Sequence, residues 1–218
     1  DGLLQGYGLK GQMGNSLGKN GRLTLSLNKY ISPFHLDLLV HADLSQLPPI
    51  LKRAVKAETI RNELALINST SGEALGKLTI DYDQKKVGIK FEASEVQLEA
   101  VYQRIPYPVK ISGGPFYFDL HQVGFSNFNV TLGKSSFSNV FSTLKWQKST
   151  RLTFASEAAS VHMAEIFPWL KSLGTISKEL KDIQAVNGLI HIDRVTLAGP
   201  LLHPEKWEIQ SRGKFERL

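Results

Sequence analysis

The sequence predicts a mainly β fold: a long, curled, mostly antiparallel sheet, an open trough or half-barrel, with two short amphipathic helices between repeat units. Three observations predict it. Apolar and polar residues alternate over most of the chain, the period of a half-buried strand. Turn signals rich in glycine, asparagine and proline separate the alternating runs. Two segments break the alternation and carry apolar residues at helical spacing.

The runs follow in order. Leu23, Leu25 and Leu27 share a face, and Leu36, Leu38, Val40, Ala42 and Leu44 form a longer stretch. Val87, Ile89 and Phe91 make a third run, then Val96, Leu98 and Ala100. The middle is aromatic, with Phe116, Phe118 and Leu120 followed by Phe128, Val130 and Leu132. Leu144 and Trp146, Leu152 and Phe154, Ile190 and Ile192, Val195 and Leu197, and Trp207 and Ile209 complete the series. Between Ile192 and Val195 the phase slips by one residue, which predicts a bulge or tight turn. Gly18 to Gly21, Asp83 to Lys86, Gly113-Gly114-Pro115, Gly133-Lys134 and Gly199-Pro200 are the expected turns.

The first helix is expected over Leu47, Ile50, Leu51, Ala54 and Val55, with Lys52, Arg53 and Lys56 opposite. Ser45 is its candidate cap, and Pro48-Pro49 suit a first turn whose N–H groups have no helical acceptor. The second contains Ile166, Phe167, Leu170 and Leu173, with Pro168 near its start and Lys178 to Ile183 as an extension or separate turn.

The helices expose a repeat. Leu47-Pro48-Pro49-Ile50-Leu51-Lys52 lines up with Ile166-Phe167-Pro168-Trp169-Leu170-Lys171, an offset of 119. Gly76 to Asp81 then lines up with Gly188 to Asp193, an offset of 112. The division this predicts is the end of one unit over 1–35, a complete unit over 36–151 and the start of the next over 152–218, as one continuous body. Asp1 is not an initiator methionine, and Lys214 to Leu218 still alternates, so the chain reads as an internal piece of a longer protein.

Composition narrows the function. The 218 residues are 42% hydrophobic and 21% charged, with a net charge of +6, so the chain is expected to fold. Its basic residues are scattered, with no polybasic run of the kind that binds nucleic acid. There are no cysteines, which excludes disulfides, thiolate metal sites and cysteine nucleophiles. No stretch approaches the roughly 18 apolar residues of a membrane span.

Candidates for chemistry are few. Tyr117, Asp119 and His121 alternate onto one strand face, as do Asp37, His41 and Asp43, while Asp81 and Asp83 share a face beside a turn, where aspartate is common. Carboxylate and imidazole groups in such a row support acid/base or metal chemistry. Their opposite faces are apolar, so they read as the solvent side of a sheet. No metal, cofactor or catalytic set is expected, and the chain reads as non-enzymatic.

Several segments together resemble the AsmA-like superfamily. They are the leucine-proline helix with its glycine-led strand, the stretch from Phe154 to Leu170 ending in Phe167-Pro168-Trp169-Leu170, the strand pair Val130 to Ser138 with Leu132-Gly133-Lys134-Ser135 at its turn, and the closing Leu197 to Trp207. The resemblance spans most of residues 36–218; each motif is a loose pattern and their order carries the weight. It implies a periplasmic scaffold of Gram-negative bacteria whose apolar strand faces line a lipid-conducting trough, with phospholipid acyl chains as partners and roles in phospholipid transport and outer-membrane integrity. It also implies an inner-membrane anchor and contacts to both membranes through parts of the parent outside this chain. Phe116, Phe118, Leu120, Phe128, Val130 and Leu132 are the expected lipid-lining residues. The same alternation fits a sealed sandwich that assembles with proteins or serves adhesion; the resemblance favours the open trough.

Overall fold

The computed structural model of the chain describes residues 2–27, 32–83, 86–147, 149–172, 178 and 180–216. Among the described residues it is mainly β, one antiparallel sheet of thirteen strands with three short helices, not closed into a barrel. The strands are β1 (Leu3–Met13), β2 (Ser16–Ser26), β3 (Phe34–Asp43), β4 (Ile67–Asp83), β5 (Lys86–Tyr102), β6 (Val109–Gly113), β7 (Phe116–Asp119), β8 (Gln122–Leu132), β9 (Ser135–Lys145), β10 (Arg151–Ser156), β11 (Ala158–His162), β12 (Leu189–Pro200) and β13 (Glu208–Glu216). The helices are α1 (Leu47–Ala54), α2 (Glu58–Ala65) and α3 (Met163–Ser172).

The sheet is a meander in sequence order. β6 and β7 lie end to end between β5 and β8, split at Gly114-Pro115. β10 and β11 lie end to end between β9 and β12, split at Glu157. Proline has no N–H for the ladder, and Gly113 has φ 125°, so the first break is written in the residues. The runs at Val87–Phe91 and Val96–Ala100 join into the single strand β5, with a register shift between Ala93 and Glu95 that keeps both on one face. The expected irregularity after Ile192 is a register shift between Ile192 and Arg194.

Several local expectations change. Gly18 to Gly21 is not a turn: β2 runs through it, bulging where Asn20 takes φ 55°, and the β1–β2 turn falls at Gly14-Asn15. Asparagine tolerates left-handed backbone, so a turn-like composition serves a bulge. Gly199-Pro200 ends β12 and the turn follows at Leu201-Leu202. The side chain of Asp43, not Ser45, caps this segment, accepting the Ser45 N–H at 2.9 Å to open a 3-10 turn over Leu44–Gln46 that leads into α1. Val55 leaves the helix with extended backbone and is buried. α3 begins at Met163, so Pro168 lies inside it, with no N–H for the carbonyl of Ala164. Leu173 lies outside the described residues, as does part of Lys178–Ile183. α2 was not expected: Ile60 and Leu64 are its only buried apolar pair, too short a stripe to stand out in sequence.

The 119-residue offset runs deeper than the helices. β1 and β2 coincide with β8 and β9 at both ends of each strand when shifted by 119. Left-handed residues match too: Gly8 with Asn127, Gly14 with Gly133 and Asn20 with Asn139. The ladder slips flank Leu9–Gly21 in one hairpin and Phe128–Val140 in the other, again 119 apart. The side-chain clasps repeat as well. Ser16 Oγ accepts the Asp43 N–H at 3.0 Å, and Ser135 Oγ accepts the His162 N–H at 3.0 Å. With its amide turned so that Oε1 faces the turn, Gln46 accepts the Asn15 N–H at 3.3 Å; Glu165 accepts the Lys134 N–H at 2.7 Å. The strand match differs from expectation. Ala74 lies opposite Ala42, and Ile190 opposite Val161, so these strands correspond at an offset of 116, not 112. A four-residue slip preserves a period-two pattern, so alternation alone did not reveal the error.

Candidate functional site

The ladder registers sort every paired residue onto one of two faces. One face carries Leu4, Leu23, Leu25 and Leu36 at the β1 end, then Leu38, Leu78, Ile80, Ile89 and Phe91. It continues through Leu98, Ile111, Val130 and Phe137, and through Phe116, Phe125, Leu144 and Phe154, to Leu197 and Ile209. Among the described residues, no Asp, Glu, Lys, Arg or His occupies a paired position on this face from β1 to β13. The charges gather on the other face in cross-strand rows such as Arg22–Asp37–Thr79–Lys90–Asp119 and Glu99–Lys110.

The helices lie on the apolar face and divide it. Leu44 and Leu47 pack with Ala74, Val96, Phe128 and Val140. α1 and α2 bring Leu51, Val55, Ile60 and Leu64 onto Phe118, Trp146, Ile89 and Leu144. Ile166, Trp169 and Leu170 of α3 cover Leu132, Ala159 and Val161. Glu63 holds the edge of this cover: it accepts the Tyr102 O–H and two bonds from Arg104, Nε at 3.0 Å and a terminal nitrogen at 2.8 Å. The Arg104 carbonyl accepts the Trp169 indole N–H at 2.7 Å, linking α2 to α3. Burial, with the Glu63 carboxylate beside it, pushes Tyr102 up to about 12.

The expected lining residues therefore divide. Phe128 is 0% exposed, and Phe118 and Leu132 are also buried, all beneath helices. Phe116 and Val130 are half-buried on the same face. Leu120 lies in the bend after β7, outside the ladder, where its carbonyl accepts the Trp146 indole N–H at 2.8 Å. Sequence reasoning passed over Val123 and Phe125, hidden by the phase slip at Asn127. Phe125 links an aromatic row on this face, 5.3 Å from Phe116 and 5.4 Å from Phe128 between ring centroids; Phe91 is 6.1 Å from Phe116. Most other apolar residues of the face are half-buried: not sealed, not wholly exposed.

Total area gives the same picture. A compact monomer of 24.3 kDa exposes about 10,000 Å². This chain exposes 13870 Å². The excess is that of a sheet whose faces are not folded onto one another.

The polar rows act as structural pairs. Asp119 accepts the Tyr117 O–H at 2.6 Å and the N–H groups of His121 and Gln122 at 2.6 and 2.9 Å, closing the β7–β8 turn. His121 is exposed beside it. On β3 and β4, His35 bridges Asp81 (2.5 Å) and Asp37 (3.2 Å), and Lys77 meets Asp37 at 2.9 Å. Partial burial pushes the Asp37 carboxyl up, but the bonds from Lys77, Thr79 and His35 outweigh it and hold it at about 2. The bonds to Asp81 and Asp37 raise His35 above its ordinary value. His41 pairs with Glu73 at 2.7 Å, and Asp43 with Asn15 at 2.9 Å, so Asp37, His41 and Asp43 do not converge. Among the described residues no group of three His, Asp or Glu is placed to hold a metal, and no helix is long and apolar enough to cross a membrane. The clefts are small: one of about 340 Å³ sits at the Gly114-Pro115 break, where Glu92, Tyr117, Gln122 and Thr143 meet.

No protein-family model matches the chain, no curated protein is significantly similar to it, and no solved structure significantly resembles it. The candidate site rests on its own geometry.

Proposed function

We propose that this chain is a non-enzymatic, lipid-binding segment of a periplasmic lipid-transfer scaffold in the Gram-negative envelope, serving phospholipid transport and outer-membrane integrity. One observation carries the reading: among the described residues, an apolar face with no charged residue at a paired position runs across the meander and is only partly covered by the helices. Acyl chains lie against half-buried side chains such as Leu36, Leu78, Phe91, Phe116 and Val130, and head groups stay in water at the rim. Each methylene removed from water contributes about 0.8 kcal/mol, so a few per repeat give reversible holding rather than a trap. An inner-membrane anchor and the contacts to both membranes belong to other parts of the parent. The helices are the partial cover under which a tail slides.

A second reading has its own support. Phe118, Phe128 and Leu132 are sealed, so the middle of the sheet has an ordinary packed core. In that reading the chain is an assembly or adhesion scaffold that binds proteins. Native mass spectrometry of the purified protein, followed by titration with a fluorescent phospholipid, separates the two. Co-purifying phospholipid and saturable uptake support the lipid reading. Absence of lipid from the spectrum together with no uptake of the probe rejects it in favour of the scaffold.

A further inference from the structure

Among the described residues β1 pairs only with β2, and the repeat shows what covers its counterpart. The counterpart, β8, pairs with β9 on one side and with β6 and β7 on the other. On the apolar face that second interface joins Val109 to Leu132, Ile111 to Val130, Gly113 to Phe128, Phe116 to Phe125 and Phe118 to Val123. Shifted by 119 residues, the positions awaiting such a neighbour are Met13, Gly11, Leu9, Gly6 and Leu4. Exposure records the difference: Leu132 is 8% exposed and its counterpart Met13 is 57%. Tyr7 and Leu4, on opposite faces of β1, are exposed as well.

The backbone of the covered interface is equally specific. The Ser126 N–H donates to the Pro115 carbonyl at 3.1 Å, and the Gly114 N–H donates to the Asn127 carbonyl at 3.5 Å. The matching groups on β1 are the Tyr7 N–H and the Gly8 carbonyl. Close approach excludes side chains at the break: a Cβ on Gly114 would lie 2.5 Å from the Ser126 carbonyl oxygen. Edge strands are ordinarily protected by charge or proline. β13, the opposite edge, carries Glu208, Arg212 and Lys214, whereas the eleven residues of β1 include one charge, Lys10, and no proline.

We propose that the outer edge of β1 is a strand-addition site for one antiparallel strand patterned like residues 109–119. That strand carries apolar side chains at alternate positions on the charge-free face and a Gly-Pro break beside Tyr7 and Gly8. Main-chain bonds supply the affinity, and the alternate side chains with the side-chain-free break supply the selectivity. The inference does not depend on lipid binding.

The probe is a labelled synthetic peptide of residues 107–121, titrated into the whole chain and followed by fluorescence anisotropy. Saturable binding is expected, weakened roughly tenfold or more by N-methylation at Gly114 or by Gly114→Val in the peptide, changes that leave the protein untouched. Tyr7→Pro in the protein, checked for folding by circular dichroism, removes the outward N–H and weakens binding to a similar degree. Three results overturn the proposal: no saturable binding, binding indifferent to the peptide changes, or binding that survives Tyr7→Pro in a folded protein. Sedimentation that shows a dimer dissolved by Tyr7→Pro would assign the edge to a second copy and overturn it as well.

Discussion

Phe128→Ala tests the central packing most sharply. Phe128 is 0% exposed and lies against Leu44, Ala93, Val96 and Val140, with the Phe125 ring edge-on at 5.4 Å. Truncating a buried phenylalanine costs about 3–5 kcal/mol, and a site walled by strand backbones below and the Leu44–Gln46 turn above collapses poorly, so the upper half is expected. With a urea m value of about 2–3 kcal/mol per molar, the midpoint falls by about 1.5–2 M. The repeat supplies an internal control. Leu9 occupies the matching position in the β1–β2 hairpin but is only half-buried, so Leu9→Ala costs about 1 kcal/mol or less. The assay is urea unfolding followed by tryptophan fluorescence, since Trp146 and Trp169 are both packed with the helices. A loss under about 1 kcal/mol for Phe128→Ala, or equal losses at the two positions, would refute the claim that the helices seal the middle of the sheet while the β1 end stays open.

Other outcomes follow from the same geometry. Ser135→Ala removes the fully buried acceptor of the His162 N–H and costs about 1–3 kcal/mol in the same urea assay, whereas Ser136→Ala, on the polar face, is near neutral. Gly133→Ala places a Cβ 2.3 Å from a Glu165 oxygen at φ 58°; a midpoint loss worth about 1–2 kcal/mol is expected, and no loss removes the reasoning. The His35–Asp37 pairs make stability depend on pH in two windows. The raised His35 contributes below its unfolded value of 6.5 and loses that contribution as pH rises through its higher folded value. The depressed Asp37 contributes above its unfolded value of 3.8 and loses it as pH falls towards about 2. Both groups are partly exposed, so each effect stays below about 1 kcal/mol, and the alkaline limb should vanish in His35→Gln.

Much of the fold was legible because alternation is a strong signal in an antiparallel sheet with one apolar face. Alternation puts Leu36 to Leu44 and Val87 to Phe91 each on one face; the ladders keep Leu36 to Ala42 and Val87 to Phe91 there, while Leu44 opens the 3-10 turn. What the sequence hid were places where a local device interrupts the period. Asn20 and Asn127 bulge strands without ending them, so the first reads as a turn in the sequence and the second conceals Phe125. α2 carries too few apolar residues to show a stripe, and its place is fixed by burial of Ile60 and Leu64 against Phe118 and Trp146. The site was half legible. Which residues share the apolar face follows from parity, but which of them the helices cover does not. Phe128 and Val130 are two residues apart on one strand, yet one is sealed and the other half-buried, a difference set by residues more than 80 positions earlier in the chain.

The claim that the charge-free face receives lipid is tested most directly by photo-crosslinking. A phospholipid with a diazirine in its acyl chain, irradiated with the folded protein and mapped by peptide mass spectrometry, reports which face the tail touches. The expected labels fall on peptides carrying Leu36, Leu78, Phe91, Phe116 and Val130, and side-chain assignment places them on the apolar face. Adducts should drop sharply in Phe91→Asp and Phe116→Asp, each checked for folding. Labels spread evenly over both faces, or confined to polar-face side chains such as Thr79, Lys90 and Tyr117, would contradict the account.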